Sequence, residues 1–213
     1  MGLVLGIVGL PNVGKSTLFR ALTRVEAEAA NYPFCTIEPN VGIVPVQDER
    51  LQKLNELIKP EKCVPATLKV VDIAGLVKGA SEGEGLGNQF LSHIREVQAI
   101  AHVVRCFEDE NIAHVTGKPS ALDDLEIVET ELILADLSQL ERKLERLSKQ
   151  MKGKSAKGSS PDANETAVFQ KMHDHLASGK MASSLELSEE EEKTLQELQL
   201  LTAKPFFYVA NLD

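Results

Sequence analysis

The sequence predicts an α/β fold: a mainly parallel sheet flanked by helices, with an antiparallel helical coiled-coil arm inserted into it. Three observations predict this. Short apolar runs alternate with helix-like runs from Leu3 to Phe107, and a further apolar run follows Pro205. The first apolar run, Leu3–Val8, passes through Gly9-Leu10-Pro11-Asn12-Val13-Gly14-Lys15-Ser16-Thr17 into the helix-like run Leu18–Leu22. That is strand, glycine-rich loop and helix with the spacing G-x-x-x-x-G-K-[ST]. From about residue 120 to 203 the pattern changes to leucines at heptad spacing.

Composition bounds what such a chain can be. A length of 213 residues allows one or two domains. An apolar content of 43% and a charged content of 26% are those of a globular chain able to bury a sheet between helices. A net charge of −9 argues against general nucleic-acid coating, so no DNA partner is expected, but it leaves room for a local basic patch. Cys35, Cys63 and Cys106 form no C-x-x-C pair and read as reduced thiols of a cytoplasmic protein. The first apolar run lacks a basic leader and enters the phosphate loop directly, so it is a core strand and not a signal peptide. No run approaches a membrane span. Gly6 stands where a myristoylation signal wants Ser or Thr.

Each element then follows in order. Gly9 and Gly14 let the loop turn tightly and bring its N–H groups to phosphate oxygens. The expected nucleotide-binding stretch is Asn12, Val13, Gly14, Lys15, Ser16 and Thr17. Lys15 supplies charge at the outer phosphates, the Ser16 hydroxyl can ligate Mg2+, and the helix N-terminus adds partial positive charge. Ala27–Pro39, with two prolines and little periodicity, is a loop in which Thr36 is the candidate Mg2+ ligand. Val41–Val46 reads as an edge strand because Pro45 cannot donate to a ladder. Asp48–Lys59 reads as a short amphipathic helix with Leu51, Leu54, Leu57 and Ile58 on one side. Thr67–Val71 is a strand ending at Asp72-Ile73-Ala74-Gly75. There Asp72 can hold Mg2+ through water, and the Gly75 N–H can reach a γ-phosphate. Gly75, Gly79, Gly83, Gly85 and Gly87 make a segment able to order around that phosphate and loosen on hydrolysis. Leu86–Val97 is a helix, Ile100–Phe107 a buried strand, and Glu108–Lys118 a polar connector carrying His114. These features together predict a P-loop NTPase of G-domain type.

The arm begins at Ser120 with Asp123 three residues on. Ile133, Leu137, Leu140, Leu144, Leu147 and Met151 alternate steps of four and three, which is a coiled-coil seam. Lys152–Pro161 is the turn, and a return helix carries Val168, Met172 and Leu176. A further helix is capped by Ser188 and Glu191 and holds Leu195, Leu198 and Leu201. The tip is basic, with Arg142, Lys143, Arg146, Lys149, Lys152, Lys154 and Lys157, and suggests an anionic partner such as RNA. The expected division is a nucleotide-binding domain of residues 1–119 and 204–213, C-terminally truncated, and a helical insertion of 120–203. Pro205–Ala210 is the last strand, ending Asn211-Leu212-Asp213. GTP-binding members of this class place N-K-x-D here, whose Asp excludes adenine. Asn211 is in place, Leu212 replaces the Lys, and the Asp position would be residue 214.

At 9–17, at Asn31-Tyr32-Pro33-Phe34-Cys35-Thr36-Ile37-Glu38-Pro39-Asn40, at Asp72-Ile73-Ala74-Gly75-Leu76-Val77-Lys78-Gly79-Ala80 and in the helical insertion, the chain resembles the Obg-related YchF (Obg-like ATPase) family of the TRAFAC class. The resemblance covers essentially the whole chain. It implies a Mg2+-dependent ATPase preferring ATP over GTP, ribosome-associated and regulatory in translation or stress response. It also implies a C-terminal TGS domain, which is not among these residues. Leu76 stands where Ras-type enzymes carry the water-orienting Gln. The resemblance points to His114 as the group that positions water instead. Lys15 and Gly75 complete the expected catalytic set, and Asn211 and Leu212 the base contacts. His102, in an apolar run, reads as a core histidine, and His93 is the lesser candidate. Asn12 resembles the residue by which some of these enzymes bind K+ beside the phosphates. Two alternatives stand beside the ATPase: an ordinary GTPase, and a nucleotide-binding interaction module with negligible hydrolysis, which Leu76 keeps open. A small-molecule kinase fits less well, because the Thr36 loop and the glycine-dense segment belong to nucleotide sensing.

Overall fold

A computed structural model describes residues 2–23, 40–75, 86–115, 117, 120–153 and 161–212. The side chains of 86, 88, 150–153 and 161–163 fall outside that description. Two compact units emerge. The first comprises Met1–Gly75, Val97–Pro119 and Phe206–Asp213, and the second Leu76–Glu96 and Ser120–Pro205.

The first unit is a five-stranded sheet in the order β2-β3-β1-β4-β5. Its strands are β1 (Leu3–Val8), β2 (Asn40–Pro45), β3 (Thr67–Asp72), β4 (Ala99–Arg105) and β5 (Phe206–Asn211). β1 runs parallel to β3 and β4, and β4 parallel to β5, while β2 is antiparallel to β3 at one edge. Pro45 closes that edge strand opposite Thr67, where a missing donor costs least. β4 is buried along its whole length, which accounts for its nearly unbroken apolar run. β1 is buried from Leu5 onward and delivers the chain directly into the loop that precedes α1 (Lys15–Thr23). Phe19 of α1 is fully buried.

α2 (Glu49–Ile58) forms where the periodicity predicted it, but it buries none of its residues, and Leu57 is 81% exposed. Its caps hold it instead. The Asp48 carboxylate accepts from the Arg50 N–H, and Lys59, at φ 46°, donates its N–H to Asn55 O.

The second unit contains α3 (Leu86–Glu96), α4 (Ala121–Gly153), α5 (Pro161–Ala177) and α6 (Glu189–Gln196). Ile133, Leu140 and Leu147 of the predicted seam are buried, with Leu137 and Leu144 partly so, against Phe169, Met172 and Leu176 of α5. Pairs Lys143–Glu165 (3.1 Å) and His173–Glu141 (3.7 Å) tie the two helices as α5 returns along α4. The reciprocal cap of α6 is present: Glu191 N–H donates to Ser188 Oγ, and Ser188 N–H to Glu191 Oε2.

Two features differ from the sequence reading. α6 ends at Gln196 and does not reach Leu201, because Gln199 adopts φ 47° and turns the chain. The turn carries Leu201 N–H, Thr202 N–H and the Thr202 hydroxyl onto the fully buried Asp136 carboxylate at 2.9, 2.8 and 2.7 Å. α3 falls in the helical unit and not with residues 1–119. Lys204 Nζ donates to the Ile94 and Arg95 carbonyls at its C-terminal end, and the Arg95 guanidinium donates to Gln139 of α4.

Candidate nucleotide site

The phosphate loop is assembled from its own backbone and from strands beside it. Gly14 has φ 99°, and a Cβ there would run into Asn211 Nδ2. Only glycine satisfies both conditions. Asn211, the last residue of β5, donates from Nδ2 to Val13 O at 3.0 Å, so the strand end expected to contact the base also holds the loop expected to contact phosphate. Asn12 stands at φ 61° and donates from Nδ2 to Ala113 O at 3.1 Å.

Lys15 opens α1 and is 7% exposed. Its Nζ donates to Leu10 O at 2.8 Å. Burial pushes its pKa down to about 8, partly opposed by the Asp72 carboxylate. Ser16, the next residue, donates from Oγ to Asp72 Oδ2 at 2.8 Å. Asp72 itself is buried at the end of β3. Gly75 lies against the loop: a Cβ there would sit 3.0 Å from Pro11 N and 3.1 Å from Lys15 Nζ. A hydroxyl and a carboxylate within one hydrogen bond are hard oxygen donors of the kind Mg2+ takes while it keeps several waters, so the residues fit that ion. Among the described residues no group of three or more His, Cys, Asp or Glu forms a separate metal cluster.

His102 is buried in β4 beside Phe206 and Tyr208 of β5, and burial, with Lys15 adding, pushes its pKa down to about 4. It is the core histidine expected. His114 is half-buried in the connector, one residue beyond the Ala113 carbonyl held by Asn12.

The family model described as "50S ribosome-binding GTPase" matches residues 4–152. The chain belongs to this GTPase family. Within it, the chain is 56% identical over its full length to the ribosome-binding ATPase YchF of Bacillus subtilis and to that of Escherichia coli O157:H7. It spans 57% and 58% of those relatives' lengths. It also matches the structure of the Schizosaccharomyces pombe YchF GTPase, with TM-score 0.79 and 44% identity. That match covers all of this chain and 57% of the yeast one. The resemblance to the YchF family is thereby shown, and so is the α/β nucleotide-binding fold. The relatives' names divide on the base: the bacterial ones say ATPase and the yeast one GTPase.

Of the residues singled out in this GTPase-family chain, Lys15, Ser16, Asp72 and Gly75 come together around one point of the loop. Val13 and Gly14 meet Asn211 on another side of it. Thr17 lies in the first turn of α1, and Leu212 is exposed at the end of β5. Thr36, Leu76, Asp213, the segment 76–85 and the tip residues Lys154 and Lys157 lie outside the described residues. At the described part of the basic tip, Lys143 is engaged by Glu165 and Glu197, and Lys149 by Glu145, so part of its positive charge is neutralised locally. Two residues went unnoticed in the sequence. Asp136 and Arg105 are both buried, and each signalled itself only as a charged residue inside an apolar pattern.

Proposed function

We propose that the chain is a nucleotide-dependent switch that binds ATP in preference to GTP and hydrolyses it slowly, its nucleotide state being read by a ribosomal partner in the cytoplasm. One observation carries the reading: a buried Lys15, its pKa lowered to about 8 by burial, beside the Ser16–Asp72 pair, with Gly75 against the same loop. The preference for ATP rests on Leu212 standing where guanine-specific members place Lys, and on the bacterial relatives' name. The ribosomal partner rests on that name and on the family description. Lys143 and Lys149 of the arm tip are paired, so an RNA contact there would fall to Arg142, Arg146, Lys152, Lys154 and Lys157.

In this reading the Lys15 ammonium meets the outer phosphates, which hold its charge. Ser16 and Asp72, with Thr36, would hold Mg2+, which supplies neutralisation of the charge that develops on the phosphates. The Gly75 N–H meets the γ-phosphate, and its missing side chain is what allows the approach. With Leu76 unable to orient water, His114 takes that role from the connector that Asn12 holds by its Ala113 carbonyl. Most of the barrier then falls to positioning and fixed charge, which suits slow turnover. The Asn12 amide oxygen would ligate K+ beside the phosphates, and turnover in potassium should exceed turnover in sodium. Equal rates in the two salts remove that ion from the scheme.

The experiment is an equilibrium titration with fluorescent ATP and GTP in the presence of Mg2+, followed by single-turnover hydrolysis. Tighter ATP binding with measurable hydrolysis agrees with the proposal. Tighter GTP binding transfers the reading to a GTPase, which the family description and the yeast relative's name favour. Binding of either nucleotide with no hydrolysis leaves an interaction module. A His114→Ala variant that hydrolyses ATP at the parent rate rejects the assignment of His114.

A further inference from the structure

Arg105 is the largest side chain that the fold buries completely among the described residues. It ends β4, opposite Asn211 of β5. Its guanidinium is met by three backbone carbonyls of the connector that follows. Nε donates to Phe107 O at 3.2 Å, Nη2 to Asp109 O at 2.9 Å and Nη1 to Ile112 O at 3.0 Å. The group also lies 4.6 Å from the centroid of the Phe107 ring. A planar fork of five N–H donors holds three carbonyls at fixed, different angles.

We propose that Arg105 is the positioning residue for His114, folding residues 107–112 into a fixed arch that sets His114 beside the phosphate loop. This rests on the reading of His114 given above. The arch is anchored at both ends. At its start, Cys106 N–H donates to Asn211 O at 2.8 Å, and Asn211 in turn holds Val13 of the phosphate loop. At its far end the residue after Ile112 is Ala113, whose carbonyl accepts from Asn12 of the same loop. Between the anchors, Asp109 accepts from the Asn111 N–H at 2.9 Å and from its Nδ2 at 3.1 Å, which tightens the turn. Burying a guanidinium against neutral carbonyls is expensive, and an apolar side chain could fill the same space. What only the guanidinium supplies is a single shape for the connector. Without it the Phe107, Asp109 and Ile112 carbonyls lose their shared donor, and the connector leading to His114 loses the side chain that fixes its course. A displacement of about 1 Å in a reacting group costs on the order of a hundredfold in rate.

The test is a double-mutant cycle: the parent chain, Arg105→Met, His114→Ala and the pair together, with Arg105→Lys as the conservative variant. Each is measured for kcat of ATP hydrolysis and for affinity toward a fluorescent ATP analogue. Arg105→Met should lower kcat by about tenfold to a hundredfold, with affinity held within about threefold. In the His114→Ala background it should cost no more than about twofold further, because its effect passes through His114. Arg105→Lys, which keeps the charge but not the fork, should fall between parent and Arg105→Met, and it carries the cycle if Arg105→Met does not fold. Parent-like kcat in both Arg105 variants overturns the inference, as do losses that multiply in the double variant. Loss of nucleotide affinity in both Arg105 variants overturns it too, since Arg105 would then serve the phosphate loop and not His114. Parent-like kcat in His114→Ala alone overturns the underlying assignment, and with it the role given to Arg105.

Discussion

Raising the pH past about 8 should weaken nucleotide binding by discharging Lys15. The amine is buried, and its pKa falls from 10.5 to about 8 because burial penalises the ammonium more than Asp72 favours it. That change corresponds to about 3 kcal/mol of lost preference for the charged form. Phosphate oxygens restore the preference, so the bound form stays protonated where the free form does not. At pH 7 both forms carry the proton and binding moves none. At pH 9 about nine in ten free molecules are neutral at Lys15, so binding should draw about 0.9 proton from solvent, and affinity should be about tenfold weaker than at pH 7. Calorimetric titration of Mg2+-ATP at pH 9 in two buffers of different ionisation enthalpy reads the proton number from the slope. Lys15→Met should remove the slope. No proton uptake at pH 9, together with equal affinity at pH 7 and pH 9, would refute the reasoning. The same shift bears on the nucleotide-free fold. The unfolded chain keeps Lys15 near 10.5, so from about pH 8 to 10.5 it binds more protons than the folded chain, and the Lys15 contribution to stability improves as pH rises through that window.

Three substitutions probe the frame. Gly14→Ala puts a Cβ at φ 99° into Asn211 Nδ2, so it should cost about 1–3 kcal/mol in a thermal melt and abolish nucleotide binding; a parent-like titration speaks against this account of the loop. Gly75→Ala places a methyl 3.0 Å from Pro11 N and 3.1 Å from Lys15 Nζ. It should slow single-turnover hydrolysis by about tenfold or more, and an unchanged rate would show that Gly75 need not approach the phosphates. Asp136→Ala leaves the Leu201 and Thr202 N–H groups and a hydroxyl buried without their acceptor. The expected loss is about 3 kcal/mol, or about 6–12 °C in Tm, and a melt within 2–3 °C of the parent, roughly, would reject it.

Features whose cause is local were legible in the sequence. The phosphate loop announces itself because each position answers to one demand of a phosphate group. The Ser188–Glu191 cap answers to two orphan N–H groups three residues apart, and the seam from Ile133 to Leu147 to one helix face. Pro45 marked an edge because a missing donor tolerates no central position. Features whose cause lies across the chain were not legible. Arg105 acts on carbonyls of a connector with no periodicity, and carbonyls have no residue type. Asp136 serves N–H groups 65 and 66 residues away, brought to it by a turn at Gln199 that no glycine or proline marks. The apolar side of α2 has the pattern of a packed helix, yet the pattern says nothing of what packs on it, and α2 stands exposed.

The hydrogen bond from Asn211 to Val13 makes the site a ruler. The strand end that would read a base and the loop that would grip phosphates are fixed to each other, 198 positions apart in sequence and 3.0 Å apart in space. A nucleotide bound to both would therefore meet its base contact and its phosphate contact at a set span. Gly14 keeps the two close: a Cβ there would run into the Asn211 side-chain amide that makes the bond.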